Sequence, residues 1–213
     1  LPSNVLRWSS AFWGEDAQNG GQPSSFHVLD EVIKTLCDTQ LFRNLRRIVL
    51  VGHSGGGQIL NRYAAAGRGE DLYAAPRGVR VRYIPMNPGS YQYFSPLRPV
   101  GSSETNFAIP LTCPGHDQWG YGLFGPLSNY HATHGLGPVQ LEDQYKRRDV
   151  IYLIGSDDDD PNDDSMPGSA NLPGDCVPNL QGAHRLVRSR AYFNHLVQHF
   201  GRRIMRHQQH VVI

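Results

Sequence analysis

The sequence predicts an α/β fold, a mostly parallel sheet with flanking helices, and three predicted strands carry that prediction. The strands occupy 48–51, 79–84 and 150–154; the first and third are continuously apolar, and in the second Arg80 and Arg82 alternate with apolar residues. Segments in which apolar residues recur at helical spacing flank and separate them. Buried strands that alternate with helices are typical of a parallel sheet covered on both faces. A length of 213 residues suits one core, so we expect 1–213 to form a single domain.

The helices and strands are expected to follow one another in a simple order. The order is a helix at 26–37, a strand at 48–51, a helix at 58–66, strands at 79–84 and 150–154, and a closing helix at 185–200. Ser25 is placed to cap the first helix, because a serine hydroxyl can accept a hydrogen bond from the first turn. The first strand is read as buried on both faces, since its residues are apolar without a break.

Charge and hydropathy exclude several classes of partner. The net charge of +1 indicates no affinity for nucleic acid. No apolar run approaches the roughly 20 residues of a membrane span. The chain opens at Leu1 without the basic and apolar regions of a leader, so we expect a processed product or a fragment. None of these features sets the oligomeric state.

The three cysteines permit one disulfide bond and one free thiol. Cys113 and Cys176 both lie in loops rich in Pro and Gly, which makes them the better pair, whereas Cys37 falls in a predicted helix and suits a buried position. A disulfide forms and persists in oxidising compartments. The pairing and the processed start together favour a secreted protein.

Residues 52–56, Gly-His-Ser-Gly-Gly, follow the first strand directly and have the Gly-x-Ser-x-Gly pattern of a nucleophile elbow. In such a turn the serine, here Ser54, adopts a strained conformation that exposes its hydroxyl at the end of the sheet. Gly52, Gly55 and Gly56 are expected at positions where a Cβ would meet the neighbouring strand and helix. The N–H of Gly55 is expected to face a developing oxyanion.

Two other interpretations of this turn deserve comparison. The pattern is short enough to occur by chance, as a glycine-rich turn with an ordinary serine. The strand before it and the helical spacing of Ile59, Leu60 and Tyr63 after it favour the elbow. A phosphate-binding loop is disfavoured, because no Lys follows the glycines.

The segment 86–148 is long, has little periodicity and holds many of the aromatic residues. Loops of this length usually serve as lids or binding loops. We therefore expect a cap over Ser54 with an aromatic pocket for substrate. The alternative is an insertion whose aromatic residues form a small core of their own. The pocket candidates are Tyr91, Tyr93, Trp119 and Tyr121.

A serine nucleophile needs a base and an orienting carboxylate. The third strand runs into an acidic stretch at 157–164, which lies at the same sheet edge as the elbow if the strands are parallel. Asp158 is the first choice for the acid and Asp157 the second, while Asp159 and Asp160 stay open. The alternatives are a solvated acidic loop and a calcium site built from the oxygen ligands of 157–164.

Ten histidines compete for the role of the base. His184 is preferred because it follows the acid and lies directly before the last helix. The pair His131 and His134 suggests a metal, but no third ligand is evident. Five others are set aside as elbow, helix or tail residues, namely His53, His195, His199, His207 and His210.

These residues together resemble an α/β-hydrolase, and the chain is similar to a group of microbial serine hydrolases. The resemblance rests on Gly-His-Ser-Gly-Gly-Gly-Gln at 52–58 with Arg-Tyr-Ala at 62–64, on Trp-Gly-Tyr-Gly at 119–122, and on Gln-Gly-x-His-Arg at 181–185 with Arg188. It implies hydrolysis of a small-molecule ester or related acyl group through an acyl-enzyme, with no metal or organic cofactor. It also implies earlier strands and a second oxyanion donor, which 1–47 is too short to hold, so a truncated fold is expected.

The leading hypothesis is therefore a serine esterase in which Ser54 attacks, His184 transfers the proton, Asp158 orients the imidazole and Gly55 stabilises the oxyanion. The alternative is a weakly active or inactive hydrolase-fold binding protein, with a cation at the acidic loop 157–164. The acyl chain length of a substrate is not encoded in any motif.

Overall fold

The computed structural model describes residues 23–160, 176–202 and 204–213. Its helices are α1 (Ser25–Leu36), α2 (Gly55–Ala66), α3 (Asn129–Thr133), α4 (Pro138–Tyr145), α5 (Cys176–Asn179) and α6 (Arg185–Phe200). Its strands are β1 (Arg47–His53), β2 (Arg80–Met86), β3 (Arg98–Pro99), β4 (Phe107–Ala108), β5 (Asp149–Ile154) and β6 (Gln208–Val212). A π-helical turn at Glu70–Ala74 and 3₁₀ turns at Ala75–Arg77 and Ile204–His207 complete the regular structure. Within this part of the chain no helix combines the length and apolarity that crossing a membrane would need.

The central sheet has four parallel strands in the order β1-β2-β5-β6, which confirms the predicted α/β class. Helix α2 packs against β1 and β2, and α6 packs against β5. Strands β3 and β4 form a separate antiparallel ribbon. Because the four strands are parallel, their carboxyl ends meet at one edge of the sheet, and β1, β2 and β5 are the strands that lead to the expected functional residues.

Burial in β1 alternates along the strand, so the prediction of a strand buried on both faces is wrong for the described residues. Ile48 is buried, whereas Val49 and Val51 are 46% and 58% exposed. The reason is position, since β1 is the edge strand of the described sheet and packs on α2 with one face. Strand β5 is better covered and buries Val150, Tyr152 and Ile154.

Helix α1 starts one residue earlier than the sequence suggests. Ser24, and not Ser25, is the N-cap, and its hydroxyl accepts a hydrogen bond from the His27 N–H. The apolar face is also narrower than expected, because Phe26 and Ile33 are fully buried while Val32 is 45% exposed.

A fourth strand of the sheet, β6, follows α6 and a 3₁₀ turn. The polar segment after α6 was expected to be a tail, yet Gln208–Val212 forms β6 and pairs with β5 from Val150↔Gln208 to Ile154↔Val212. The strand is difficult to recognise in the sequence, because its first residues are Gln, Gln and His. It is stabilised by the hydrogen bonds of parallel pairing with β5, a contact distant in sequence, although its composition does not favour a strand.

Most of the aromatic residues of 86–148 lie in the main core or pack against it. Tyr91, Tyr93 and Tyr130 are fully buried in the same cluster as Tyr63 of α2 and Tyr192 of α6. The Tyr91 ring stacks on Tyr192 with 4.5 Å between ring centroids. These residues form neither a separate small core nor an exposed pocket wall, and the division of the chain into a domain with a lid stays a prediction.

Cys113 and Cys176 form a disulfide bond with Cα atoms 5.8 Å apart, which is the pairing suggested by the loop positions. Cys37 is buried and not disulfide-bonded. The bond ties the loop ahead of Trp119 to the start of α5, across a sequence separation of 63 residues.

Removing this bond is expected to lower the free energy of unfolding by about 2–4 kcal/mol, because a long loop in the unfolded chain is no longer closed. The measurement is urea denaturation of the protein and of the double variant Cys113→Ser, Cys176→Ser, each with and without reductant. Reductant should shift the midpoint of the wild type and leave that of the double variant unchanged. Equal midpoints for the oxidised wild type and the variant would contradict the prediction.

Candidate active site

Ser54 occupies a sharp bend between β1 and α2. Its φ of 54° and ψ of −115° lie in a region that side-chain-bearing residues rarely adopt. The bend is held in place by two backbone hydrogen bonds, from the Ser54 N–H to the Met86 carbonyl (2.9 Å) and from the Gln58 N–H to the Ser54 carbonyl (3.0 Å). This is the backbone geometry expected of a nucleophile elbow.

The glycines around Ser54 differ in how tightly they are packed. A Cβ added to Gly52 would lie 2.3 Å from the Gly56 carbonyl oxygen, so the expected need for glycine holds there. A Cβ on Gly56 would meet nothing within 4 Å, and that part of the prediction is wrong. The second tight position is Gly57, where a Cβ would lie 2.6 Å from the Met86 carbonyl oxygen. Glycine is needed where α2 crosses β1 and β2.

Gly55 is the first residue of α2, and Ser54 is its N-cap. The N–H groups of a first helical turn have no acceptor within the helix and carry the positive end of the helix dipole. This position suits a donor to negative charge next to Ser54, and the oxyanion role of the Gly55 N–H stays a prediction.

Asn87 and Asp158 follow the carboxyl ends of β2, which adjoins β1, and of β5, which adjoins β2. Asn87 comes directly after β2, and its side-chain Nδ2 donates to Asp158 Oδ2 at 2.6 Å. Neighbouring strands lie about 4.8 Å apart, so the ends of β1 and β5 are separated by about 10 Å. That span leaves room for one imidazole between a serine and a carboxylate.

Asp158 is the acidic residue that points inward. Its side chain is 21% exposed and also pairs with Arg185, whose NH1 lies 3.3 Å from Oδ1. Asp157, Asp159 and Asp160 are exposed. Asp157 accepts a hydrogen bond from the neighbouring Ser156 hydroxyl (3.1 Å). The geometry therefore favours Asp158 over Asp157 for any role near Ser54.

His184 is the N-cap residue of α6 and lies at the same edge of the sheet. The Leu186 N–H donates to the Asp158 carbonyl at 3.0 Å, so the start of α6 is attached to the acidic loop. The Nδ1 atom of His184 is buried and makes no hydrogen bond to a described residue. The structure brings His184 and Asp158 into neighbouring loops without joining imidazole to carboxylate.

Other histidines have different surroundings. His53, the elbow histidine, is exposed. His195 is buried, its Nε2 lies 3.3 Å from the Phe94 N–H, and burial lowers its pKa to about 3. His210 lies in β6, with Nε2 2.9 Å from the Ser189 hydroxyl. His184 differs from these histidines in that the residues that follow it, Arg185 and Leu186, bond to Asp158 of the acidic loop.

A metal site finds no support in the described part of the chain. It contains no group of three His, Cys, Asp or Glu side chains placed to hold an ion. His131 is buried, with its Nδ1 2.7 Å from the Ser128 hydroxyl. The predicted calcium ligands at 161–164 lie outside the described residues.

The four pocket candidates have different environments. Tyr91 and Tyr93 are fully buried and pack against Tyr192 of α6, so their role in a substrate pocket stays a prediction. Trp119 is half-buried and packs on His131, with 4.0 Å between the ring centroids. Tyr121 is half-buried near α2, where its ring lies 5.7 Å from the Arg62 guanidinium carbon. Tyr121 therefore contacts a side chain of the elbow helix α2.

A separate apolar groove of about 520 Å³ lies along α1. Its lining residues are Pro23, His27, Val28, Glu31, Val32, Thr35, Leu36 and Phe42. None of the expected site residues lines this groove.

Sequence reasoning missed Asn87. The available signal was an Asn two residues after Pro85, at the carboxyl end of a predicted strand. That strand was expected to stop at Pro85, whereas β2 continues to Met86 and so delivers Asn87 to the sheet edge.

The chain was compared with protein families, curated sequences and solved structures. Neither a family model nor a curated protein sequence matches the chain. Among solved structures, the chain is similar to LpqC, a poly(3-hydroxybutyrate) depolymerase from Bordetella parapertussis, at 20% identity and a TM-score of 0.53. Poly(aspartic acid) hydrolase-1 from Sphingomonas sp. KT-1 matches at 18% identity and the same TM-score, 0.53.

Both matches cover 94% of this chain, but they cover 55% of the depolymerase and 62% of the poly(aspartic acid) hydrolase. The chain thus spans less than two thirds of either structure. At these identities the likeness concerns the fold. The described chain has the α/β-hydrolase fold, which it shares with these two hydrolases.

Proposed function

We propose that this protein is a serine hydrolase that cleaves carboxylic esters through an acyl-enzyme formed on Ser54. The observation that carries the proposal is the backbone of Ser54, with a φ of 54° at the junction of a parallel strand and a helix. Such strain persists where the surrounding structure enforces it, and it is concentrated at functional sites. The fold shared with two hydrolases supports the same class of reaction.

In the proposed reaction the Ser54 hydroxyl attacks the ester carbonyl while His184 accepts its proton. The Gly55 N–H stabilises the negative charge on the former carbonyl oxygen. His184 then donates the proton to the leaving alcohol, and the acyl group remains on Ser54. A water molecule, deprotonated by His184, releases the carboxylic acid and restores the serine.

The role of Asp158 is to orient His184 and to stabilise the imidazolium. In the described conformation Asp158 Oδ1 faces Arg185, the residue next to His184. A carboxylate oxygen can accept two hydrogen bonds, so Oδ1 can receive the His184 Nδ1–H and keep Arg185. Rotation of the His184 ring toward Asp158 is the movement that this proposal requires.

A specific observation also favours a second function, a hydrolase-fold binding protein without catalysis. The Asp158 carboxylate is already held by Asn87 and Arg185, while the Nδ1 of His184 has no described partner. In that case the ion pair between Asp158 and Arg185 stabilises the start of α6, and no triad forms.

Labelling with a fluorophosphonate separates the two functions, because the probe phosphonylates only an activated serine. We expect stoichiometric labelling of the wild type, none in Ser54→Ala, and a rate lowered by about 10⁴-fold or more in His184→Ala. His207→Ala is the matched control, since His207 is exposed and lies on the turn before β6. A folded wild type that is not labelled would support the binding protein. A normal rate in His184→Ala would remove His184 from the mechanism and leave Ser54 in it.

A further inference from the structure

We propose that Asn87 is a positioning residue that fixes the Asp158 carboxylate relative to Ser54. The inference rests on the proposed function, because it assigns a role within the same site. The described side-chain hydrogen bond of Asn87 goes to Asp158 and not to Ser54 or His184, so its effect on the reaction would pass through Asp158.

The side chain of Asn87 holds one of the two carboxylate oxygens. Its Nδ2 lies 2.6 Å from Asp158 Oδ2, while Arg185 lies 3.3 Å from Oδ1. The shorter contact is the one from Asn87. By fixing Oδ2, the amide leaves Oδ1 facing the start of α6, where His184 lies.

The backbone of Asn87 is fixed as well. Its N–H donates to the Leu153 carbonyl in β5 at 3.0 Å, and the preceding Met86 carbonyl accepts the Ser54 N–H at 2.9 Å. One short segment is therefore bonded on one side to the nucleophile turn and on the other to the strand that carries the acid. The distance between Ser54 and Asp158 depends on this segment.

Asparagine suits both the backbone conformation at position 87 and the hydrogen bond to Asp158. The φ of Asn87 is 44°, in the left-handed region that Asn tolerates better than most residues with a side chain. A neutral amide donates a hydrogen bond that favours the ionised carboxylate. An aspartate in the same place would have nearly the same shape, but it would bring a second negative charge to Asp158.

Two substitutions distinguish the effect of the Asn87 side-chain amide from the effect of its backbone conformation. Asn87→Gly keeps a residue that accepts a positive φ and removes the amide. We expect its rate of fluorophosphonate labelling to fall about 10- to 100-fold, the size expected when a hydrogen bond to a charged group is lost. Asn87→Asp places a second carboxyl group against Asp158, and because two adjacent carboxylates repel each other, the acidic limb of the labelling rate should move to higher pH.

Matched controls use Asn106, an exposed residue in the loop before β4. Asn106→Gly and Asn106→Asp should label like the wild type at every pH. The thermal midpoint of each variant is measured in parallel, and Asn87→Asp, which is close to isosteric, keeps the test valid if Asn87→Gly unfolds.

The outcomes distinguish this inference from the proposed function. A wild type that is not labelled overturns both. A labelled wild type whose Asn87→Asp variant has an unchanged pH profile, or whose folded Asn87→Gly variant keeps the full rate, overturns the role of Asn87 alone. A shifted acidic limb together with a near-normal thermal midpoint supports it.

Discussion

Replacing Gly52 by alanine is expected to lower the free energy of unfolding by more than about 3 kcal/mol, because the added methyl group has no space. The new Cβ would lie 2.3 Å from the carbonyl oxygen and 2.5 Å from the carbonyl carbon of Gly56. Both atoms belong to the backbone of α2, so no side-chain rotation relieves the clash. The helix would have to move away from β1, and the bend at Ser54 would open with it.

Gly56 is the matched control, since it lies in the same turn and a Cβ there meets nothing within 4 Å. Gly56→Ala is expected to be neutral or to stabilise by about 0.5–1 kcal/mol, because alanine favours the helix. Urea denaturation of both variants measures the difference in free energy. If Gly52→Ala were as stable as Gly56→Ala, the close approach of α2 to β1 would be wrong.

The second large effect is expected at Arg148, a fully buried arginine directly before β5. Its guanidinium lies 3.0 Å from Glu70 Oε2 and 2.6 Å from Asp71 Oδ2, and it also donates to the carbonyls of Ala64 (3.2 Å) and Gly67 (3.0 Å). Burial disfavours this charge, but Tyr83, Glu70 and Asp71 outweigh it and raise the pKa of Arg148. Arg148→Met should cost about 3 kcal/mol or more, because two largely buried carboxylates lose their main partner.

Arg147→Met is the control for this substitution. Arg147 also approaches Asp71, at 3.6 Å, but its side chain is 61% exposed, so the expected loss is below about 1 kcal/mol. Comparable losses in the two variants, measured by urea denaturation, would show that burial does not govern this ion-pair network.

The difference in the free energy of unfolding between wild type and Arg148→Met should also depend on pH. Burial would raise the pKa of Asp71, yet Arg148, Arg68 and Arg147 outweigh burial and lower the pKa from its ordinary 3.8. A carboxyl with a lowered pKa contributes stability above the unfolded value and loses it as the pH falls through the folded value. The gap between wild type and Arg148→Met should therefore shrink below about pH 4.

Patterns in the sequence predicted those elements that are determined by interactions between residues close together in the chain. The elbow at 52–56 could be recognised because a buried strand, small residues and a helix follow one another without interruption. Helix α6 matched its predicted bounds, since its apolar residues keep helical spacing over the full length. The Cys113–Cys176 pair could be suggested because only two cysteines lie in loops.

Features that depend on contacts distant in sequence were missed. Strand β6 is polar at its start, and only pairing with β5 makes it a strand. Tyr91 and Tyr93 look like pocket residues in a loop, but α6 covers them from about 100 positions further on. The link between Asn87 and Asp158 joins residues 71 positions apart and follows from strand order alone.

That strand order has a consequence for how loss of activity should relate to loss of structure. Ser54, Asn87 and Asp158 are aligned only because His53 lies opposite Met86 and Met86 lies opposite Leu153. A slip of one residue between two of these strands would displace a functional group by about 3.3 Å and turn alternate side chains to the opposite face. Turnover in the proposed reaction would then report on sheet alignment, and it should vanish in partly loosened states whose helices still give a normal circular dichroism signal.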